Sequence, residues 1–515
     1  MADISVVFGV EFCAAFARIA CLLVLKSYTG QGILHKTGPL WLFWKNYEKM
    51  KRLSSKNIDM TEGSIFGKII MFVLPMMATN LLQVAYNAAD MMIVSLSGEA
   101  NAVGAIGFTG AFINLVLNFF IGFSVGANVV IARRIGARDG EAASRVVHTS
   151  LILALAVGIG GGVIGLVITR PALSLMGADG NLLELASLYT RIYFAGAPFI
   201  ALTNYAVAIF RAKGDTRTPL YVLTSSGLVN VALNVFFVLV FNMSVDGVSL
   251  ATVISNVLSA VVLIFCLSRS DDDCRFEIKK LRIDRRALKD IITVGLPAGV
   301  QSALFSFSNI MIQSSVLRVN DILAPGSVYE PVVEGNAAVS NLNGFIYTAT
   351  NSVCQASVSF TSQNVGAGKI DRVKKVLINS YVISTVVAFI CSAIILLFNH
   401  QLLALYGITD GEGLAGIAYD AAMTKMWIET LMYFILAFME VGCGVLRGLG
   451  KSLTSAIVSL VGACLLRVVW LMTVFEHYLT LESIYISYPV SWFLTGAIAL
   501  VIDIILLRRY RKVPS

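Results

Sequence analysis

Long apolar stretches recur along this 515-residue chain, and they limit its fold more than any other feature. A bilayer core of about 30 Å needs roughly 20 residues of apolar helix to cross it. Charged residues make up 14% of the chain, against about 25% in soluble domains. The sequence therefore predicts an all-α integral membrane protein with twelve transmembrane helices. The predicted spans are residues 66–97, 104–130, 146–169, 185–210, 219–241, 248–268, 291–317, 337–362, 376–399, 417–446, 453–475 and 484–507.

Basic residues are concentrated in alternate loops. One set of loops, together with the C-terminal tail, contains nearly all of the loop Lys and Arg, whereas the other set contains only Arg170 and Arg318 beside several acids. Because Lys and Arg collect on the cytoplasmic side of a membrane protein, this predicts a multi-pass protein of the cell (inner) membrane with both termini cytoplasmic. The net charge of +8 then reflects topology rather than binding to nucleic acid.

The chain is predicted to be a duplicated six-span unit. The loop after the second span reads RRIGARDG and the loop after the eighth reads SQNVGAGK, so that Gly136 matches Gly366. Pro75 in the first span matches Pro297 in the seventh, and FRAKGDTRTP after the fourth span resembles LRGLGKSLTS after the tenth. Three matches in the same order indicate a repeat.

Each half begins on the cytoplasmic side, so the two six-helix bundles are expected to be related by a pseudo-two-fold axis along the membrane normal. Transporters built from parallel repeats have this plan, with the binding cleft between the halves. The N-terminal region is expected to be an extension that lies on the membrane surface or an upstream start, with Met50 opening the true chain. A thirteenth span, which would move the amino terminus outside, is the remaining alternative. The predicted division is an N-terminal extension at 1–58, bundles at 59–268 and 291–512, and a cytoplasmic linker at 269–290.

Several motifs resemble the multidrug and toxic compound extrusion (MATE) family. They are the LP at the start of spans one and seven and the loops RAKGDTRTP and LRGLGKS. QSALFSFSNIMIQSSV, SQNVGAGK and LRVVWLMTVF are similar to the bacterial efflux branch. The resemblance covers nearly the whole chain after residue 60 and implies a multidrug efflux transporter.

Asp90 is an acid inside the first span. An ionised side chain at the bilayer centre costs at least about 2.5–3.5 kcal/mol, so an acid there is a functional candidate. Asn80, Gln83, Asn87 and Asp90 are spaced 3, 4 and 3 residues apart, which places them on one helix face. The fifth and sixth spans add Asn230, Asn234 and Thr252. Oxygen ligands around one negative charge suit Na⁺ or a proton on the acid.

The repeat shows that this polar cluster belongs to one half only. At the repeat offset, Asp90 corresponds to Ile312 and Asn234 corresponds to Trp470. Polar residues that only pack helices together would be expected in both copies. The asymmetry therefore favours a cation site in the N-terminal half.

The family resemblance implies the same site. In the bacterial branch the cation site contains an Asp in span one, an Asn in span four, an Asn in span five and a Thr in span six, which match Asp90, Asn204, Asn230 and Thr252. Asn234 stands where many relatives have Asp. The missing charge favours H⁺ over Na⁺ as the coupling ion, although both stay open. For any single amide, hydrogen bonding between helices is the alternative role.

Other polar residues in the spans give further candidates. Pro75 is expected to bend its helix, with gating as a second role. Glu440 and Arg467 are expected to form a buried ion pair in the C-terminal half, with a second protonation site as the alternative. The candidate residues of the cleft lining are Gln83, Asn87, Gln301, Asn309, Asn341 and Gln355.

We therefore expect a secondary antiporter that exports organic, cationic or amphipathic compounds in exchange for H⁺ or Na⁺ by rocking its halves. The alternative is a lipid-linked oligosaccharide flippase of the same wider superfamily, which would need a strongly basic cavity. No enzyme activity, cofactor or metal other than Na⁺ is expected, because GLGKS lacks the first glycine of a phosphate loop and the four histidines lie apart. The expected partners are a small-molecule substrate and the lipid bilayer, and the protein is expected to be monomeric.

Overall fold

The computed structural model describes residues 57–97, 99, 102–327 and 329–512, and all regular secondary structure in these ranges is helical. Residues 1–56 of the predicted N-terminal extension lie outside this part of the chain. We number the long helices α1–α12. They are α1 (Ile65–Val94), α2 (Ala102–Gly136), α3 (Gly140–Leu175), α4a (Gly180–Ala195), α4b (Ala197–Ala212), α5 (Arg217–Leu239), α6 (Val245–Ser268), α7 (Arg285–Leu323), α8 (Pro331–Gly366), α9 (Ile370–Leu397), α10a (Leu414–Thr430), α10b (Tyr433–Gly448), α11 (Ser452–Tyr478) and α12 (Leu481–Lys512).

These helices confirm the twelve predicted spans. In the described part of the chain, nine helices are individually long and apolar enough to cross a membrane, and α4 and α10 reach that length as bent pairs. The remaining span, α8, is 36 residues long and more polar than the others. It is buried between helices on several sides, packing on α1 and α2 of the first bundle and on α9 and α10 of the second.

Two spans are sharply bent at equivalent places in the repeat. The axis of α4 turns by 52° at Gly196, and that of α10 turns by 45° at residues 431–432. Each bent span is followed by a glycine whose backbone has a positive φ, and these glycines, Gly214 (φ 91°) and Gly450 (φ 76°), occupy equivalent positions in the repeat. The two bends are 236 positions apart (196 to 432), and so are the two glycines (214 to 450). The same offset of 236 therefore relates the bend of α4, and the glycine after it, to those of α10. Pro75 lies inside α1, which continues as helix through it, and the bend expected there stays a prediction.

The helices form two lobes, each with its own core. The N-lobe contains α1–α6 and the C-lobe contains α7–α12. Large apolar side chains such as Val167, Leu175 and Leu397 are exposed on the outer faces, as expected where helices meet lipid tails. The N-lobe core includes Ile131, Leu151, Tyr205, Phe210 and Leu263. The C-lobe core includes Leu342, Ile346, Met426, Leu436 and Trp492.

The lobes meet along α2, α7 and α8, and small residues allow this contact. A Cβ atom on Gly122 would lie 2.6 Å from the carbonyl oxygen of Ala298. At the ends of α2 and α8 the contact is reciprocal, because a side chain on Gly136 would collide with the backbone of Gln363 and one on Gly366 with the backbone of Arg133. Small residues let transmembrane helices approach backbone to backbone. We call this end of the molecule, which contains the Lys- and Arg-rich loops, the basic end.

The reciprocal glycine contact makes a first prediction. Gly366→Ala should push α8 away from α2 and lower the midpoint of thermal unfolding in detergent, since overpacking typically costs about 1–3 kcal/mol. Gly344→Ala is the matched control, because Gly344 lies in the same helix with open space where its Cβ would be. Equal midpoints for the two variants would show that the contact is not tight.

Candidate functional site

Asp90 lies near the end of α1 that is remote from the basic end, and its side chain is buried, with 7% of the residue exposed. It points toward α5, which packs along α1. The fully buried Asn234 of α5 donates from its amide nitrogen to Oδ1 of Asp90. The predicted polar faces of the first and fifth spans therefore do meet.

Asn230, one turn away on α5, completes the link to α6. With its amide nitrogen turned toward Asp90, Asn230 donates to Oδ1 at 2.9 Å and its oxygen accepts the backbone N–H of Thr252 at 3.3 Å. We assign this orientation because it satisfies both ends of the amide. In the opposite orientation the same amide donates to Oγ1 of Thr252 at 3.3 Å. Either orientation joins α5 to α6 beside the carboxyl group.

The electrostatic surroundings of Asp90 are unusual for a buried acid. The groups that contact or face its charge are neutral, namely the amides of α5 and the phenols of Tyr189 and Tyr193 on α4a. In the described chain, Asp90 forms no ion pair with Lys or Arg. An ionised carboxylate without a counter-charge is costly to bury. The site therefore favours a state in which H⁺ or a small cation neutralises the carboxylate.

One atom of the network is free to bind such an ion. Oδ1 of Asn234 is completely buried and has no hydrogen-bond partner among the residues that the structure describes, although its own amide nitrogen contacts Asp90. A buried carbonyl oxygen without a donor loses free energy unless a donor or cation reaches it. The carboxylate and this oxygen could therefore both contribute ligands to one cation.

The structure brings together four of the five predicted cation-site residues, Asp90, Asn230, Asn234 and Thr252. The fifth, Asn204, is half-buried on α4b, and its amide donates to the carbonyl of Ile200 in its own helix at 2.9 Å. An amide that bonds within its own helix needs no partner across the site. A ligand role for Asn204 stays a prediction.

The predicted lining residues of the cleft divide into two groups. Gln83, Asn87, Asn309 and Asn341 are exposed, as a lining position requires. Gln301 and Gln355 are buried, at 6% and 8% exposure, so they do not line an open cleft. Both side chains are buried because Gln301 lies in α7 and Gln355 in α8, the helices that carry most of the contact between the lobes.

The predicted ion pair between Glu440 and Arg467 is not formed. Glu440 instead faces Arg447, seven residues along α10b, with 4.0 Å between Oε2 and a guanidinium nitrogen. The Nε atom of Arg467 donates to Oγ of Ser491 at 2.9 Å, and its guanidinium lies 4.4 Å from the ring centre of Tyr488. Glu429 and Glu440 lie eleven residues apart in span ten, a spacing that would place them on one face of a straight helix. The bend at residues 431–432 separates them.

Two buried ionisable residues were missed by the sequence analysis. Lys425 of α10a is 3% exposed. Asp503 of α12 is fully buried, and within the described ranges neither of its carboxylate oxygens has a hydrogen-bond partner. A signal was present for both, because each is a charged residue within a predicted span, the criterion that singled out Asp90.

In the described part of the chain, the hydrogen bonds between the lobes lie in the middle of the helices and toward the basic end. At mid-helix Asn118 donates to Ser306 (3.5 Å) and Asn80 donates to Ser352 (3.1 Å). Around the segment before α1, side chains of the C-lobe donate to backbone oxygens of the N-lobe. These bonds are Asn364 to Met60 (3.0 Å), Lys369 to Thr61 (3.0 Å), and Arg372 to Glu62 (3.0 Å) and Gly63 (3.1 Å). We call this set of bonds the basic-end latch.

Comparison with known proteins matches this architecture. A family model described as MatE matches residues 75–236 and 297–473, one segment in each lobe. The Bacillus subtilis "probable multidrug resistance protein YoeA" is 26% identical over 441 residues, which cover 84% of this chain and 92% of that protein. The Staphylococcus aureus "multidrug export protein MepA" is 24% identical over 422 residues, which cover 80% and 88%.

Solved structures show the same fold. An outward-facing multidrug resistance MATE family transporter of the MOP superfamily superposes with a TM-score of 0.80 at 23% identity, covering 89% of this chain and 99% of that one. A MOP superfamily transporter from Pyrococcus furiosus superposes with a TM-score of 0.81, also at 23% identity, over the same shares of the two chains.

The site geometry makes a second prediction. Asn234→Ala should lower the midpoint of thermal unfolding, because it removes one of the two amide donors to the buried Asp90 carboxyl, a loss typically of about 1–3 kcal/mol. Asn204→Ala, which removes only a bond within one helix, is the matched control and should lower the midpoint less. A double-mutant cycle of Asn234→Ala with Asp90→Ala should show coupling, and additive effects would contradict the contact.

Proposed function

The chain belongs to the multidrug and toxic compound extrusion family, and we propose that it is a secondary antiporter that exports organic compounds in exchange for an ion bound at Asp90. The observation that carries the proposal is the buried carboxylate of Asp90, which has amide donors around it and, in the part of the chain that the structure describes, no counter-charge. The names of the bacterial relatives, multidrug resistance and multidrug export proteins, support the substrate class.

The coupling follows from charge neutralisation. Binding of H⁺ or Na⁺ removes the charge of Asp90 and with it the pull on the amides of Asn230 and Asn234, so α1, α5 and α6 gain a second favoured packing. A ligand changes the equilibrium between two conformations only if it binds one of them more tightly than the other. An ion that neutralises a buried charge in one packing meets that requirement. The presence of one carboxylate rather than two supports H⁺ over Na⁺.

The driving force is sufficient for export. Each positive charge that enters the cell supplies about 2.3 kcal/mol per 100 mV. A tenfold concentration ratio costs about 1.4 kcal/mol, so one ion supports a gradient of more than tenfold for a neutral substrate. A monovalent cationic substrate carries out the charge that the ion brings in, so its export is driven by the concentration gradient of the ion.

We assign the basic end to the cytoplasm, because loops rich in Lys and Arg stay on that side. The basic-end latch then closes the cytoplasmic entrance, and the described conformation faces outward. The predicted lining residues Gln83, Asn87, Asn309 and Asn341 are neutral amides on exposed positions. Neutral, polar walls suit cationic or amphipathic organic compounds better than the pyrophosphate of a lipid-linked sugar.

The central experiment replaces Asp90. Asp90→Asn, reconstituted in proteoliposomes with a fluorescent organic cation, should reduce ion-driven transport by at least about tenfold, the effect of losing roughly 1.4 kcal/mol of coupling. Imposing pH and Na⁺ gradients separately identifies the ion. Asp179→Asn is the matched control, since Asp179 is an exposed acid in the same lobe. Transport by Asp90→Asn at the wild-type rate would refute the coupling role.

The orientation has its own test. In a cysteine-free background, Asn309→Cys should react with a membrane-impermeant maleimide added outside intact cells, because the cleft opens outward. Ala137→Cys, at the basic end, should react only after the membrane is made permeable. The reverse pattern would overturn the assigned topology.

A further inference from the structure

The C-lobe contains a buried cation that belongs to the chain itself. Lys425 of α10a is only 3% exposed. Its Nζ atom lies 2.9 Å from Oδ1 of Asn336, 3.3 Å from the backbone oxygen of Asn336 and 2.5 Å from Oγ of Ser340. Oε2 of Glu429, one turn along the same helix, lies at 3.6 Å. The ammonium is thus surrounded by oxygen atoms and one carboxylate, as a bound monovalent cation would be.

Further groups complete this pocket, which we call the Lys425 pocket. Nζ lies 5.6 Å from the ring centre of Tyr485 on α12, a distance at which a cation is attracted to the ring. The hydroxyl of Tyr485 donates to Oδ1 of Asn336 at 3.3 Å, and the amide nitrogen of Asn336 donates to Gln313 of α7 at 3.0 Å. Helices α7, α8, α10a and α12 therefore all meet at the site that holds the ammonium.

The Lys425 pocket corresponds, within the repeat, to the site of Asp90. At the offset of 236 that relates the bends and the glycines of α4 and α10, Lys425 is equivalent to Tyr189 and Glu429 to Tyr193. Those two tyrosines face the charge of Asp90 in the N-lobe. Equivalent places thus contain an acid without a counter-charge in one lobe and an acid with an attached ammonium in the other.

We propose that the ammonium of Lys425 is a tethered cation that keeps the C-lobe pocket permanently occupied, so that ion exchange during transport is confined to Asp90. If the ammonium fills a cation site, shortening its side chain should leave a site that accepts a small primary alkylammonium ion. Primary ammonium ions can donate three hydrogen bonds, which the oxygens of Asn336 and Ser340 and the carboxylate of Glu429 would accept.

The first test measures binding in the purified, full-length protein. Lys425→Ala in detergent should show a midpoint of thermal unfolding below that of the wild type, because Glu429 loses its partner. Ethylammonium chloride should raise that midpoint in a saturable manner, whereas choline chloride at equal ionic strength should not. Lys425→Met, whose side chain fills the same space without charge, should not respond to ethylammonium. Equal responses of the Ala and Met variants would overturn the proposal.

A further variant isolates the role of the carboxylate. In Lys425→Ala with Glu429→Gln, the pocket keeps its space and its neutral oxygens but loses its negative charge. We expect the response to ethylammonium to disappear. A response that persists would show that the ion binds elsewhere and would overturn the proposal.

The transport test rests on the proposed function, but the binding test does not, so failures of the two are distinguishable. Transport by Lys425→Ala should fall by about tenfold or more, as expected when a buried pair is broken, and ethylammonium should restore it in part. Transport by Lys425→Met should stay impaired with and without ethylammonium. If the Ala variant does not fold, the Met variant still tests whether transport needs a cation in the pocket. Full transport by Lys425→Met, alone or combined with Glu429→Gln, would show that no cation is needed in the pocket.

Discussion

The cost of burying one carboxylate governs the arrangement of the N-lobe. Asp90 is removed from water, and in the described chain no basic side chain approaches it, so only dipoles of amides compensate its charge. Dipoles recover part of the lost hydration but leave the charged form expensive. In the proposed mechanism, the packing of α1 on α5 and α6 therefore depends on whether an ion is present. A counter-charge from the protein would have stabilised the site and removed that dependence.

The C-lobe solves the same physical problem in the opposite way. Glu429 has Lys425 as a partner, and Glu440 has Arg447, so two of its buried acids do not need an ion from solution. Asp503 is the exception, since both of its oxygens lack hydrogen-bond partners among the described residues. Two lobes with one ancestral plan thus differ mainly in how buried charge is balanced. In the proposed mechanism, the N-lobe responds to an ion and the C-lobe does not.

Much of this was accessible from the sequence, for identifiable reasons. The spans follow from hydropathy, and the face that unites Asp90 with the amides of α5 follows from helical spacing, because both depend on local periodicity alone. The partner of Glu440 could not be predicted, since it depends on a bend at residues 431–432 that no proline or glycine marks. The burial of Gln301 and Gln355 could not be predicted either. It depends on how closely α7 and α8 pack against the other lobe, which local periodicity does not show.

The reciprocal contact of Gly136 and Gly366 has a mechanical consequence. Where two bare backbones touch, no side chains interlock, so separation requires no rotamer changes and little friction. The work of opening the entrance then lies in the neighbouring contacts. These are the apolar packing of Phe72 on Phe360 and polar bonds such as those from Lys369 and Arg372 to the chain before α1. Water can replace such bonds as they break. A hinge of this kind should move fast, with its speed set by hydration and salt.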